Sequence, residues 1–109
     1  MTENENQEAN VLHEFFVAGV KFHELHTVIK EVETGERLTL EPEPTNPYDP
    51  NAVRIYRGEV MLGFVPKKFS AEVTAEIEIG SPYCVVTEVT PSAKPWNQLK
   101  VRIEEGGDA

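Results

Sequence analysis

The stretch from Glu41 to Arg54 reads E-P-E-P-T-N-P-Y-D-P-N-A-V-R, and it decides how the rest of the chain is interpreted. Each residue before a proline is biased towards extended backbone, so the repeated prolines predict an ordered loop between two strands. An aromatic ring, a carboxylate and two amides lie close together within it, at Asn46, Tyr48, Asp49 and Asn51. A loop that only reverses the chain does not need this chemistry, which indicates a site. The alternative is that Asp49 and Asn51 merely accept nearby backbone N–H groups in Asx turns.

Strands are predicted on both sides of this loop. Arg37 to Glu41 alternates apolar and polar residues and leads into it. Ala52 to Tyr56 and Val60 to Val65 follow it, joined by a tight hairpin at residues 57–59. Gly63, inside the second of these strands, indicates a bulge or a close backbone approach.

Two segments have the apolar spacing of short helices. The apolar residues between Leu25 and Val32 share one helical face, and Gly35 follows as a left-handed cap. Pro66 is placed to open a second helix, in which the apolar residues from Phe69 to Ile77 line one face until Gly80.

Further strands are predicted within the apolar run from Val11 to Val20, at Pro82 to Thr90 and at Gln98 to Glu104, the last two joined by a loop that holds Trp96. Five to six short strands with two short helices between them predict an α+β fold. Its architecture would be a small, partly open β-barrel of the OB or SH3 kind.

The length of 109 residues predicts one domain, over residues 11–104, with disordered acidic tails at residues 1–10 and 105–109. The net charge of −9 is concentrated at the ends. The terminal acidic residues are Glu3, Glu5, Glu8, Glu104, Glu105 and Asp108. Without them, 13 acidic residues stand against 10 basic ones. A local basic patch can therefore contact phosphate, whereas broad duplex binding needs many more neutralised phosphates.

No stretch resembles a signal peptide or a membrane span, which predicts a cytoplasmic protein that does not enter a membrane. Cys84 is the single cysteine, and its apolar neighbours predict a buried, inert thiol. The three histidines His13, His23 and His26 lack the further ligands of a structural zinc site, so neither a metal nor another cofactor is predicted.

Three segments together resemble the HIRAN domain family. They are F-x-V-A-G-V-K-F-H from Phe15, L-x-L-E-P-E-P-T-N-P-Y-D-P-N-A-V-R-I from Leu38 and G-E-V-M-L-G-F-V-P-K-K from Gly58. The resemblance spans about Glu14 to Ile103. It implies a modified OB-type barrel that binds nucleic acid, in particular the 3′ end of single-stranded DNA, during DNA repair and the processing of replication forks. Many members of the family belong to helicase-like ATPases. This chain has no G-x-x-x-x-G-K-[ST] phosphate loop, so the resemblance implies a helicase or another DNA-processing protein as a partner in trans.

The resemblance also assigns roles to residues. Asp49 would accept the terminal 3′-hydroxyl, and Tyr48 would stack on the end nucleotide. Phe22 stands where other members have a tyrosine, Lys21 where they have an arginine, and Phe64 where they have a histidine. Asn46 and the pair Lys67 and Lys68 match the family.

The sequence bears on two other functions. Catalysis is disfavoured, because Asp49 has only Glu41 and Glu43 as carboxylate neighbours in sequence and no nucleophile–base pair can be assigned. A protein-binding adaptor is the stronger alternative, because a partly open barrel can accept a peptide at an exposed edge or groove, and acidic tails suit a basic partner.

Overall fold

The computed structural model describes residues 11–106. Six antiparallel strands form one curled sheet in the order β1-β6-β5-β2-β3-β4. The strands are β1 (Val11–Phe16), β2 (Arg37–Pro42), β3 (Val53–Arg57), β4 (Val60–Phe64), β5 (Tyr83–Val89) and β6 (Leu99–Glu104). The helices are α1 (Leu25–Val28) and α2 (Lys67–Ile79), with 3-10 turns at Val20–Phe22, Ile29–Glu31 and Pro95–Asn97. The predicted α+β fold, a small and partly open barrel, is confirmed.

The two predicted tails fall largely on residues 1–10 and 107–109, which lie outside the described residues. Glu104 lies within the predicted domain of residues 11–104 and at the end of the predicted strand from Gln98 to Glu104. It is the last residue of β6, and its carboxylate accepts a hydrogen bond from Arg102. Pairing with Val11 and Tyr83 on the neighbouring strands extends β6 to this residue.

The barrel is curled because β2 changes partner along its length. Its first residues, Arg37 and Leu38, pair with β5, and the rest of the strand pairs with β3. At the opposite end of the sheet, the chain just after β1 meets β4. Ala18 and Phe64 exchange two backbone hydrogen bonds there, each of 2.8 Å. This single bridge closes one side of the barrel and leaves the rest of that side open.

Gly63 makes this closure possible. A Cβ at this position would lie 2.4 Å from the carbonyl oxygen of Ala18 and 2.7 Å from Cγ1 of Val17. The register of β3 and β4 also shifts, because Ile55 pairs with Gly63 and Tyr56 with Met61. Both predicted features of Gly63, a bulge next to it and a close backbone approach, are confirmed.

Helix α2 covers the interior of the barrel. It begins after Pro66, as predicted, and its residues Phe69, Val73 and Ile77 contact the core. The first helical segment ends earlier than predicted, because the 3-10 turn Ile29–Glu31 follows α1 and Val32 is its extended C-cap. Gly35, with φ of 89°, turns the chain towards β2 and does not cap the helix. The most completely buried side chains come from the strands, from both helices and from the chain just after β1. They are Val17, Leu25, Val53, Ile55, Leu62, Val73, Cys84, Val86, Leu99, Val101 and Ile103. The core therefore fixes α2 and the strand ends on either side of the proline-rich loop.

Candidate nucleic-acid interface

The proline-rich loop, residues 43–52, is ordered by hydrogen bonds at its ends. The N–H of Glu43 donates to the carbonyl of Ala52 over 2.8 Å, and the N–H of Ala52 donates to the carbonyl of Asp49 over 3.0 Å. A further turn forms where the N–H of Asn46 donates to the carbonyl of Glu43, at 3.0 Å. These bonds satisfy backbone groups that a loose loop would leave to water.

Asn46 organises the tip of the loop from inside. Its Oδ1 accepts the backbone N–H groups of Tyr48 and Asp49, at 2.8 and 3.0 Å. Its Nδ2 donates to Oε1 of Glu43 over 3.1 Å. Both ends of the amide are thereby engaged within the loop, and Asn46 acts as a positioning residue for its two neighbours.

Glu43 is held in turn by Arg54. Oε2 of Glu43 accepts from Nη2 of Arg54 over 2.6 Å, and Nη1 of Arg54 donates to the hydroxyl of Tyr56 over 2.9 Å. The hydrogen bond from Arg54, followed by the one from Asn46, lowers the pKa of Glu43 below its ordinary value. The same contact with Glu43 raises the pKa of Arg54. This pair connects β3 to the loop and keeps Glu43 ionised.

Asp49 is half-buried and docked on α2. Its Oδ1 accepts the N–H of Asn51 over 2.9 Å, and its Oδ2 accepts the hydroxyl of Ser70 over 2.8 Å. One turn along α2, the hydroxyl of Thr74 donates to the carbonyl of Asn51 over 2.9 Å. The Asx turn considered in the sequence is therefore present at Asp49. A carboxylate has about four acceptor positions, so each oxygen of Asp49 retains the capacity to accept another hydrogen bond.

A depression of about 290 Å³, here called the loop pocket, opens beside Asp49. It gathers five of the predicted site residues with Gly19 from the turn after β1. These five are Asn46, Tyr48, Asp49, Phe64 and Lys67. The ring of Tyr48 is 85% exposed at its rim, and Phe64 is held edge-on by His23 at a centroid distance of 5.4 Å.

A second depression of about 240 Å³, the tryptophan pocket, adjoins the first at Gly19. Lys21, Phe22, Pro95 and Trp96 line it. Phe22 is 74% exposed and Trp96 is 59% exposed. The ammonium of Lys21 lies 5.3 Å from the ring of Phe22, and that of Lys94 lies 5.8 Å from the ring of Trp96. Gly19, with φ of 70°, turns the chain between the two pockets.

The predicted site residues therefore fall into two neighbouring groups. Lys21 and Phe22 lie in the tryptophan pocket and the others in the loop pocket, except Lys68. Lys68 lines neither pocket, and its ammonium lies over the ring of Phe69 at 5.2 Å. Trp96 and Lys94 were not predicted as site residues. An exposed tryptophan beside a lysine, in a loop with Pro91 and Pro95, is a signal that the sequence does contain.

Other reactive groups lie elsewhere. Within residues 11–106, no three His, Cys, Asp or Glu side chains come together as a metal-binding group. Oδ1 and Oδ2 of Asp49 have no second carboxylate as a hydrogen-bond partner, and His13 bonds to Glu76 on α2. Burial raises the pKa of the Cys84 thiol to about 12. None of the helices in the described part of the chain is long and apolar enough to cross a membrane.

The fold and this pair of pockets define a class of small barrel domains that present an exposed aromatic and basic surface beside a rigid loop. Comparison with known proteins gives the family. The family model for the HIRAN domain matches residues 10–104, and the chain belongs to the HIRAN domain family. HIRAN domains are known as nucleic-acid-binding modules and are not catalytic by themselves.

Two solved structures share the fold. A protein from Lactobacillus plantarum aligns with a TM-score of 0.74 and 20% identity, over 87% of this chain and 95% of that one. The HIRAN domain of human HLTF aligns with a TM-score of 0.59 and 15% identity, over 90% of this chain and 83% of that one. No protein of curated function matches the chain in sequence.

Proposed function

We propose that this domain binds single-stranded DNA and receives its free 3′ end in the loop pocket. The observation that carries the proposal is the carboxylate of Asp49. It is half-buried, fixed by Asn51 and Ser70, and lies in the same pocket as the exposed ring of Tyr48. A carboxylate held in this way accepts a hydrogen bond from a terminal hydroxyl without reorganising.

The exposed rings supply the affinity that does not depend on base identity. Tyr48 lies at the loop pocket, and Phe22 and Trp96 lie at the adjoining tryptophan pocket. Base stacking on an aromatic side chain contributes about 1–3 kcal/mol per base and tolerates any sequence. Two adjoining pockets suit the last nucleotide and the one or two that precede it.

Lysines around these rings suit the phosphates between those nucleotides. Lys67 lines the loop pocket, and Lys21 and Lys94 flank the rings of the tryptophan pocket. A lysine attracts phosphate as a point charge but lacks the two-pronged geometry of arginine. The departures at Lys21, Phe22 and Phe64 therefore predict weaker contacts to phosphate and sugar, while stacking is retained.

Selectivity for the end group follows from charge. A 3′-phosphate would bring a second anion against Asp49 in a confined pocket. Two like charges about 4 Å apart repel by about 4 kcal/mol at an effective dielectric of about 20. Solvent screening reduces this repulsion energy. If about one third of it remains, the hydroxyl end is still preferred about tenfold.

We further infer that the bound end is passed to a DNA-processing partner, such as a helicase acting in trans, in repair or at replication forks. The family supports a binding role and no chemistry of its own. A domain that holds a strand end would position it for another enzyme.

The proposal is tested by anisotropy titrations of labelled thymidine oligonucleotides that differ only in the 3′ group, together with a blunt duplex. The single strand with a 3′-hydroxyl should bind at least about tenfold more tightly than the 3′-phosphate or the duplex. The logarithm of the affinity should fall with the logarithm of salt with a slope of roughly −0.7 for each of one to three phosphates. Equal affinity for all three ligands would contradict the proposal and favour the protein-binding adaptor.

A further inference from the structure

A second surface, remote from the two pockets, has the opposite character. A cleft of about 470 Å³, here called the acidic cleft, lies where α2 ends and the chain enters β5. Leu12, Ile79 and Pro82 give it apolar walls, and Glu76 and Glu105 give it two carboxylates. It shares no lining residue with the loop pocket or the tryptophan pocket. Lys67, at the start of α2, and Ile79, at its end, are about 18 Å apart along the helix axis.

We propose that the acidic cleft binds a basic, apolar-flanked peptide segment of a partner protein, with a lysine or arginine side chain of that segment inserted in it. The carboxylates of Glu76 and Glu105 receive the charged head, and the apolar walls receive its methylene stem and the neighbouring apolar residue. This inference goes beyond the proposed function and does not depend on it.

The first support is an unmatched acceptor. Oε2 of Glu76 accepts from Nε2 of His13 over 2.8 Å. Oε1 of Glu76 is buried, and no group among residues 11–106 donates to it. A carboxylate oxygen without a donor leaves the charge of Glu76 poorly compensated, which favours a cation bound beside this carboxylate in the cleft.

The second support is the charge at this end of α2. The C-terminus of a helix carries the negative end of its dipole, where cations are favourable and carboxylates are not. The last turn of α2 nevertheless has no basic residue and contains Glu76 and Glu78. Glu72 and Glu76 stand at i and i+4 on the same face, and the ring of His13 contacts both, with Nδ1 3.8 Å from Glu72 and Nε2 2.8 Å from Glu76. A cation bound from outside would relieve an arrangement that the fold alone leaves unfavourable.

The third support is exposed apolar surface beside these charges. Ile79 is 87% exposed and Leu12 is 39% exposed, and both line the cleft. Lysine and arginine carry long apolar stems that cover such surface while the charged head meets a carboxylate. A small cation alone would leave these walls in water, so the pattern fits a side chain within a peptide.

The alternatives fit the charges less well. Nucleic acid would bring phosphates against Glu76 and Glu105. The chain's own residues 1–10 contain Glu3, Glu5 and Glu8 and no lysine or arginine. Their negative charge would be repelled by the carboxylates of the acidic cleft. A second copy of the chain would have to present a lysine or arginine, and three of its six lysines, Lys21, Lys67 and Lys94, are the groups proposed to meet DNA.

The test is an NMR titration of the full ¹⁵N-labelled chain with a short blocked peptide in which leucine alternates with lysine. We expect shifts confined to the amides of Leu12, residues 79–81 and residues 105–106. The same peptide with glutamate in place of lysine, and one with glycine in place of leucine, should produce none. Ile79→Ser should weaken binding roughly tenfold through the lost apolar contact. Glu105→Gln should weaken it about two- to fivefold through the lost charge.

Matched controls keep the two sites separate. Glu59→Gln removes an exposed carboxylate of the β3–β4 hairpin and should leave peptide binding unchanged. Asp49→Asn should leave it unchanged as well, whatever happens to DNA binding. Shifts spread over the whole acidic surface, equal binding of the glutamate peptide, or no shift at the cleft at millimolar peptide would overturn the proposal. Shifts of the same amides with protein concentration alone would assign the cleft to a second copy of the chain and overturn it too.

Discussion

The hydroxyl of Ser70, the one polar side chain that is fully buried among the described residues, lies 2.8 Å from Oδ2 of Asp49 and donates to it. Ser70 belongs to α2, and Asp49 belongs to the proline-rich loop 21 residues earlier. The position of the carboxylate is therefore set by the packing of α2 on the barrel core. This contact connects the fold to the proposed site, because any displacement of α2 moves Asp49.

The pair of Glu43 and Arg54 gives the loop a defined pH dependence. The pKa of Glu43 is lowered in the folded state, so its contribution to stability is present above its ordinary value of about 4.3. That contribution is lost as the pH falls through the lowered value. We expect Glu43→Gln to reduce the free energy of unfolding at neutral pH and to make its decline below about pH 5 shallower than in the wild type.

Denaturant unfolding at a series of pH values checks this. Glu41→Gln is the matched control, since Glu41 is a neighbouring, exposed glutamate. An identical acid decline in the wild type and in Glu43→Gln would show that the pair does not stabilise the folded loop.

The raised pKa of Cys84 predicts that the free energy of unfolding falls at high pH. Burial raises its pKa to about 12, so the folded state favours the neutral thiol. Its contribution to stability is complete below the unfolded pKa of about 8.5 and is lost as the pH rises towards 12. Between these values the free energy of unfolding should fall by up to about 1.4 kcal/mol per pH unit more steeply than in Cys84→Ala. A thiol reagent should modify the native protein at neutral pH only as fast as it unfolds, and rapid native labelling would contradict this burial.

Gly63 tests the closure of the barrel. Gly63→Ala would place a Cβ 2.4 Å from the carbonyl oxygen of Ala18, and backbone on both sides of the bridge would have to separate. We expect a loss of about 1–3 kcal/mol in the free energy of unfolding, as for an overpacked core, together with weaker amide protection at Phe64. Gly80→Ala is the control, because the nearest atom to its Cβ would be 3.7 Å away, and it should stay within about 0.5 kcal/mol. Equal stability of the two variants would mean that the Ala18–Phe64 bridge is not tight.

Much of this architecture follows from local sequence signals. The proline-rich loop, the helix start after Pro66 and the apolar face of α2 each depend on residues close together in the chain. The barrel closure is different, because the bridge between Ala18 and Phe64 joins segments far apart in sequence. The glycine at position 63 predicts that another backbone segment approaches it closely. The sequence does not identify that segment as the one at Ala18.

The proposed site divides in the same way. Tyr48 and Asp49 stand out because their loop has unusual chemistry. The engagement of both ends of the Asn46 amide depends on the placement of Glu43, which Arg54 on β3 sets. Trp96 reaches the tryptophan pocket only because the turn at Pro95–Asn97 folds back towards Lys21 and Phe22. Such tertiary placement leaves no periodic pattern in the sequence.

The exposed rings of Tyr48 and Trp96 should strengthen the binding of single-stranded DNA equally, whatever group its 3′ end carries. Tyr48→Ala and Trp96→Ala should each weaken binding of single-stranded DNA by about 1–3 kcal/mol, equally for 3′-hydroxyl and 3′-phosphate ends. Ile79→Ala removes an exposed apolar side chain outside both pockets and should have no effect on DNA binding. Because Trp96 is the only tryptophan, quenching of its fluorescence by oligonucleotide reports directly on the tryptophan pocket. Unchanged fluorescence at saturating oligonucleotide would exclude Trp96 from the binding path.

The sharpest prediction separates the charge of Asp49 from its role in the loop. In Asp49→Asn, the amide oxygen can still accept the N–H of Asn51, and the amide nitrogen can donate to Ser70. The hydroxyl of Ser70 then donates to the carbonyl of Lys67, which is already 3.0 Å away. The loop should therefore keep its geometry while the negative charge is removed. We expect binding of 3′-hydroxyl ends to weaken by about 1.5–3 kcal/mol, as for a lost hydrogen bond to a charged group. Binding of 3′-phosphate ends should stay equal or improve, so the preference disappears.

Ser70→Ala is the complementary control, because it removes the hydroxyl that anchors Asp49 but leaves the carboxylate. It should weaken the binding of both ligands while retaining the preference for the 3′-hydroxyl end. If Asp49→Asn lowers the affinity for both ends equally, Asp49 serves the loop alone and another group must select the strand end.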